Sequence, residues 1–453
     1  MEKVASILAH LANGTARVED IFSDAIRAAE NNAQLNIYVN ELQSYESANE
    51  HGVLAGVPFA VKDNIEVAGL PFTGGSAGLR SVVGHRDAAS VALIRRAGAA
   101  LTGKTNLHEL AFGITSNNPT YGPVRNPYSP QKIAGGSSGG SAVAVATGAA
   151  AFALGTDTGG SGRLPAALCG VAGFRPTTGR YPTEGVLTLS KTRDAIAVFA
   201  QTAEDIGLID LVLSGASVKH EAPKNLSGCR LGIPRNPYFK DLSSEVERAM
   251  VQTIELLHDA KVELVDVDMS EVVSLDDACG MPIAVYETVE ALTSFVESRT
   301  DMKFPDFVSS IASPDVRSLL EDAIGEGAVP QSVYESCLND TRPKLQAAYQ
   351  SVITSHDLAA LVLPASPATA PLIGQDETFE LNGLDVPTFM TLTRNLRPTS
   401  VIGCPSISVP VCLGADSHMP VGVLFDGAKG QDRDVLAIAQ SFESVRGSFN
   451  RPH

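Results

Sequence analysis

Apolar positions recur first at helical spacing along this chain and then in short separated runs. Val4, Ile7, Leu8 and Leu11 fall on one face of a 3.6-residue repeat, as do Val18, Ile21, Phe22 and Ile26, so residues 1–50 read as helical. From residue 53 the pattern changes. Val57–Val61 is a short apolar run of strand type, Ala88–Ala97 an amphipathic helix, and Ala99–Thr102 a further strand. Ser141–Thr147 opens a helix and Ala149–Leu154 a strand, with another strand in Gly228–Pro234. Residues 241–350 are mainly helical; in Ser244–His258, for example, Val246, Met250, Ile254 and Leu257 line one face. Strand character returns in Leu358–Pro364 and Ser406–Val411, and Asp432–Val445 is a closing helix. Alternation of this kind predicts an α/β fold around a buried sheet, here with a helical excursion. No internal repeat or low-complexity linker interrupts it. The expectation is one large domain: N-terminal helices over 1–50, a core over 53–235, a helical region over 236–350 and a return to the core over 351–453.

Composition narrows the function classes. The chain has 453 residues, 44% hydrophobic and 19% charged, as an ordinary globular protein does. A formal net charge of −17, with Lys and Arg scattered and no cluster longer than Arg95-Arg96, argues against direct nucleic-acid binding, which needs a basic stripe. The six cysteines (Cys169, Cys229, Cys279, Cys337, Cys404, Cys412) show no CxxC or zinc spacing and read as reduced, mostly buried thiols of a cytosolic protein. The nine histidines form no ligand pair, so no metal site is expected. His108 alone sits in a suggestive context, and a structural hydrogen bond is its expected job. Residues 1–10 lack a signal-peptide core and no run approaches 18 apolar residues, so the expectation is a soluble, cytoplasmic protein without a membrane span.

Candidate chemistry lies in two glycine-rich runs. Gly135-Gly-Ser-Ser-Gly-Gly-Ser141 holds Ser137, and Gly155-Thr-Asp-Thr-Gly-Gly-Ser-Gly-Arg163 holds Ser161. Glycine marks places where the backbone turns tightly or approaches another group. A serine held there can act as a nucleophile, and the N–H groups before it can face a developing negative charge. Dense apolar sequence on both sides excludes a flexible linker. Gly98-Ala-Ala-Leu-Thr-Gly-Lys-Thr105 matches a phosphate-loop pattern formally, but its Ala-Ala-Leu interior reads as a buried strand. A serine nucleophile needs a base, and no histidine lies near either run in sequence. Lys62, at the end of the Val57–Val61 strand, is the candidate, because burial lowers a lysine's pKa toward neutrality. Taken alone, Lys62 reads more simply as a strand-end lysine reaching solvent or paired with Asp63.

The chain resembles the amidase-signature family of serine hydrolases. The resemblance rests on Gly56-Val-Pro-Phe-Ala-Val-Lys-Asp-Asn64, Gly103-Lys-Thr-Asn-Leu-His-Glu-Leu-Ala-Phe-Gly113, both glycine runs with the continuation to Gly170, Gly173-Phe-Arg-Pro-Thr177, Val362–Pro367 and Gly403–Pro410 with Pro420–Gly422. It covers nearly the whole chain and is weakest over 235–350. It implies an amidase-signature fold, with a large mixed central β-sheet between helices, and an amidohydrolase without a cofactor. It also implies a Ser–cis-Ser–Lys triad: Ser161 as nucleophile, Ser137 as the bridging serine after a cis peptide bond, and Lys62 as base. The N–H groups of Thr158, Gly159, Gly160 and Ser161 are the implied oxyanion hole, each donor worth about 3–4 kcal/mol. Asp157 and Arg163 are an implied buried pair fixing the loop, with Ser138 hydrogen-bonded in the same loop. Gly162 departs from the family, which more often carries Ile or Val there; its missing side chain either loosens the loop or leaves space for a neighbour. Gly179-Arg-Tyr-Pro182 and Ser190-Lys-Thr-Arg-Asp194 resemble the branch holding indoleacetamide and mandelamide hydrolases, which implies a small, aromatic or compact primary amide as substrate. Two alternatives stay open: a ureido-amide such as a carboxylated biuret or allophanate, and ammonia supply for tRNA-linked transamidation. A homodimer or a small accessory subunit is compatible with either.

Overall fold

A computed structural model describes residues 3–44, 49, 51–216 and 225–449. Thirteen strands are formed among them. Tyr38–Glu41 (β1), Pro58–Lys62 (β2), Ala100–Thr105 (β3), Phe152–Asp157 (β4), Ala172–Arg175 (β5), Ala195–Ala200 (β6) and Arg230–Pro234 (β7) come from the first half. Glu263–Asp268 (β8), Ala360–Pro364 (β9), Thr378–Leu381 (β10), Leu384–Pro387 (β11), Ser406–Leu413 (β12) and Pro420–Asp426 (β13) follow. Eleven of them make one mixed sheet in the order β1-β3-β2-β4-β6-β5-β12-β13-β9-β7-β8, and β10 with β11 makes a separate hairpin. β3, β2 and β4 run parallel, with Lys62 opposite Thr105 and Val61 opposite Leu154. Their carboxyl ends therefore lie side by side, where open α/β sheets place ligand sites.

β2, β3, β4 and β6 are buried at every position, which explains their unalternated apolar sequence. One face packs Phe59, Phe152, Val198 and Ile407 against the N-terminal helices and the helices Ala89–Arg96, Ala203–Ser214 and Asp432–Arg446. The excursion is built on a 30-residue helix, Ser270–Arg299, followed by the short helices Phe304–Ser310 and Pro314–Ala323. Its Leu292, Val296, Phe304 and Phe307 share a cluster with Phe72, Leu110 and Leu187, so the excursion docks on loops beside the sheet's carboxyl edge.

Two expectations are corrected, and one rejected alternative stays rejected. Residues 1–50 are not all helical: after Val4–Ala12 and Val18–Asn31, β1 pairs antiparallel with β3. A four-residue edge strand is too short to carry a period-2 signal. The strand expected at Ala149–Leu154 begins at Phe152 and runs into the glycine run as far as Asp157. Glycine at 155 serves close approach, since a Cβ there would stand 2.8 Å from Ser138 Oγ. The phosphate-loop match is excluded: Ala100–Thr105 is a buried strand, and Lys104 Nζ is 3.1 Å from Asp63 Oδ1.

Candidate active site

Lys62 closes β2 with no solvent exposure. Its Nζ donates to Ser137 Oγ and to Thr156 Oγ1, both at 2.8 Å. Asp63 does not pair with it; that carboxylate takes Lys104 and Thr73 instead. Burial without a contacting carboxylate brings the Lys62 amine down to about 7, with the more distant Asp157 and Asp194 opposing the fall. In place of a strand-end lysine reaching solvent there is a buried amine hydrogen-bonded to two hydroxyls.

The first glycine run turns from Ile133 into the helix Gly139–Thr147, and the Gly136–Ser137 peptide bond is cis. The Ser137 carbonyl accepts the His108 N–H at 3.0 Å. Ser116 Oγ donates to the Gly135 carbonyl at 2.8 Å and accepts the Gly139 N–H at 3.2 Å. Gly140 passes so close to the next loop that a Cβ would meet the Asn106 carbonyl at 2.4 Å. Ser138 Oγ bridges to the second run, donating to the Thr156 carbonyl at 3.1 Å and accepting its N–H at 3.3 Å.

The second run is held from beneath by Asp157. Its carboxylate accepts the N–H groups of Gly160 (2.9 Å) and Gly162 (3.1 Å), and Arg163 grips it through Nε at 2.9 Å and Nη2 at 3.1 Å. Burial alone would raise this carboxyl, but Arg163 and Arg175 hold it well below the usual range. Arg163 also reaches Thr399 Oγ1 at 2.7 Å and Ser400 Oγ at 2.7 Å, tying the loop to the helix Arg397–Ile402. Gly160 has φ +119°, and a Cβ would meet Leu396 Cβ at 2.8 Å, so only glycine fits. One expected oxyanion donor is corrected: the Gly160 N–H is already spent on Asp157. The N–H groups of Thr158, Gly159 and Ser161 have no acceptor among the described residues. At Gly162 a Cβ would stand 2.5 Å from Ala197 Cβ, so the missing side chain is replaced by a β6 methyl.

Ser161, 7% exposed, opens on a cavity walled by Phe112, Ile114, Leu189, Met281, Ala284 and Phe389, with Arg193 and Arg397 among its polar groups. Loop 111–114 and the excursion thus both line it. Sequence reasoning missed Thr156, the second acceptor for Lys62; Arg175, whose Nη1 reaches the Asp157 carbonyl; and Arg193, whose Nε donates to the Thr158 carbonyl at 3.1 Å. Arg175 and Arg193 do stand in the quoted segments Gly173–Thr177 and Ser190–Asp194, so a signal was there for both. His108 is buried: its Nδ1 accepts the Ser116 N–H at 3.2 Å, and its Nε2 lies 3.0 Å from Asp315 on the excursion.

Several known proteins are similar to this chain over most of its length. The Amidase family model matches residues 17–436. The indoleacetamide hydrolase of Allorhizobium ampelinum is 36% identical over 442 residues, 94% of each chain. The mandelamide hydrolase of Pseudomonas putida is 37% identical over 434 residues, covering 91% of this chain and 84% of that protein. A solved amidase superimposes with TM-score 0.85 at 30% identity, over 98% of this chain and all of that one. The chain belongs to the amidase family. It is an amide hydrolase with the amidase-signature fold, similar to indoleacetamide and mandelamide hydrolases.

Proposed function

We propose that this protein hydrolyses a small carboxamide, of arylacetamide type, to the acid and ammonia through Ser161, Ser137 and Lys62. The observation that carries the reading is the buried Lys62 amine, near neutrality and hydrogen-bonded to Ser137 Oγ. Neutral Lys62 takes a proton from Ser137 as Ser137 takes one from Ser161, and the Ser161 alkoxide attacks the amide carbon. The oxyanion that forms is received by the N–H groups of Thr158, Gly159 and Ser161. The proton then returns through Ser137 to the leaving nitrogen, the C–N bond breaks, and ammonia departs. Water attacks the remaining ester by the same relay and frees the acid.

The aryl choice is supported by the six apolar side chains among the cavity's walls, against which a ring can pack. Among the walls, Met281 is the side chain that adapts most readily to the shape of an entering ring. Cytoplasmic residence fits cysteines kept as thiols, such as the buried Cys169, Cys279 and Cys404. The test is ammonia release from phenylacetamide, indoleacetamide and a carboxylated biuret. The expected result is turnover of the aryl amides, lost in Lys62→Ala; fast turnover of the biuret alone refutes the substrate.

A further inference from the structure

The N–H groups of Thr158, Gly159 and Ser161 each belong to a peptide plane whose carbonyl is anchored. In a trans peptide the C=O and N–H point to opposite sides of one plane, so fixing the carbonyl aims the N–H. The Gly160 carbonyl, opposite the Ser161 N–H, accepts the N–H groups of Arg163 at 2.9 Å and Leu164 at 2.8 Å. The Asp157 carbonyl, opposite the Thr158 N–H, accepts Arg175 Nη1. The Thr158 carbonyl, opposite the Gly159 N–H, accepts Arg193 Nε at 3.1 Å. That last plane depends most on its anchor, because glycine at 159 leaves the backbone freer to rotate than any other residue would. Arg193 is itself braced. It is 3% exposed, and its Nη1 donates at 2.7 Å to the Gly280 carbonyl on the helix Ser270–Arg299. Its neighbours are pinned to the same helix by the buried Glu287. That carboxylate accepts the Ser190 hydroxyl, the Thr192 N–H at 3.2 Å, the Thr192 hydroxyl at 3.0 Å and the Tyr334 hydroxyl at 2.8 Å. Asp194 closes the clamp: its Oδ1 accepts the Thr158 hydroxyl at 2.6 Å, and its Oδ2 the N–H groups of Leu189 at 2.8 Å and Ser190 at 3.1 Å.

We propose that Arg193 is a positioning residue for the reaction, aiming the Gly159 N–H at the oxyanion, and that Glu287 on the excursion helix holds it in place. The effect falls on the transition state and not on substrate binding. The aimed N–H meets full negative charge only once the amide carbonyl has become an oxyanion, and only interactions that strengthen at that point raise kcat. The excursion thus does more than wall the cavity: through the Gly280 carbonyl and Glu287 it sets the orientation of a backbone donor in a loop more than 100 positions away in the chain.

This inference rests on the amidase reading above, and the test separates the two. Purified protein is assayed for kcat and KM on whichever of phenylacetamide, indoleacetamide and the carboxylated biuret it turns over fastest, and on the thioamide of the same compound. Sulfur is a weaker hydrogen-bond acceptor than oxygen, so a well-aimed N–H favours the amide over the thioamide. The ratio of the two kcat/KM values therefore reads the oxyanion donors, and it does not depend on how much of a preparation is folded. Removing one such donor costs about 100- to 1000-fold in kcat, so a donor present but misaimed predicts a loss of about 10- to 100-fold in Arg193→Met, with KM within about 3-fold and the amide-to-thioamide ratio falling about 10-fold. Glu287→Ala lowers the ratio in the same direction, and Glu287→Gln, which keeps an acceptor for Ser190 and Thr192, restores most of it. A loss carried by KM in Arg193→Met overturns the proposal, and so does an unchanged ratio in Arg193→Met and Glu287→Ala. Where Arg193→Met does not fold, the ratio in Glu287→Ala against Glu287→Gln decides the matter alone. An unmodified protein that hydrolyses no amide overturns the amidase reading and this inference with it, whereas hydrolysis with a ratio that the variants leave unchanged overturns the positioning role only.

Discussion

Acidification is the perturbation that bears most sharply on Lys62. A fall in its pKa from 10.5 to about 7 makes charging this amine in place cost on the order of 5 kcal/mol more than in water. If the neutral amine is the base, half of the enzyme is competent at pH 7 and about 1% at pH 5, so kcat/KM falls about 50-fold between them. Above pH 8 the profile levels, where an ordinary lysine would keep it rising toward 10.4. The same titration has a stability signature. Below pH 7 both folded and unfolded states hold the proton, and the burial penalty is fully present. Between pH 7 and 10.5 the unfolded state holds more proton than the folded one, so stability rises with pH as the penalty is relieved. Lys62→Met, which removes the charge, should therefore melt higher than the unmodified protein at pH 6, by a margin that narrows from pH 7 to 10. The assays are a kcat/KM profile on one amide from pH 5 to 10 and parallel thermal melts. A profile flat down to pH 5.5, or one still climbing at pH 9.5, refutes the reasoning.

Three further outcomes follow from the geometry. Gly162→Ala drives a Cβ to 2.5 Å from Ala197 Cβ and should destabilise the fold by about 1–3 kcal/mol, and adding Ala197→Gly should recover most of the loss; denaturant melts of the two variants check it. Asp157→Ala leaves Arg163 and Arg175 buried without their counter-ion and should cost about 3–5 kcal/mol, measured the same way. At His108 the Nδ1 atom accepts the Ser116 N–H, so Asn, whose Oδ1 takes that place, should lose about 1 kcal/mol less stability than Ala; equal losses would show that the bond to Ser116 contributes nothing.

What was legible in the sequence and what was not divides along physical lines. Long buried strands and amphipathic helices announced themselves: Ser244–Asp259 and Ala89–Arg96 lie within a residue of their expected bounds, because one face of each packs on the sheet. β1 did not, since its pairing partner lies far along the chain, with Tyr38 opposite Thr105 and Glu41 opposite Gly103, and its own four residues carry no periodicity. Of the candidate site, Ser137 and Ser161 stand out by their glycine runs, whereas Lys62 alone reads as a strand-end lysine and is named as base only through the family resemblance. The proximity of Lys62 to Ser137 could only come from the parallel alignment of β2 with β4. The Gly160 donor was misassigned because a carboxylate three residues earlier in the chain can curl back and take an N–H, a loop geometry that residue order does not fix. Whether Gly162 was loose or filled depended on Ala197, a residue on another strand.

The central claim is that Ser161 forms the covalent ester with the acyl group. Intact-protein mass spectrometry after a rapid quench with an amide substrate, or after fluorophosphonate treatment, tests it most directly, with the adduct mapped by proteolysis. The expected result is one adduct per chain, on the peptide containing Ser161, absent in Ser161→Ala together with amide hydrolysis. An adduct on another residue, or full hydrolysis by Ser161→Ala, would contradict the mechanism.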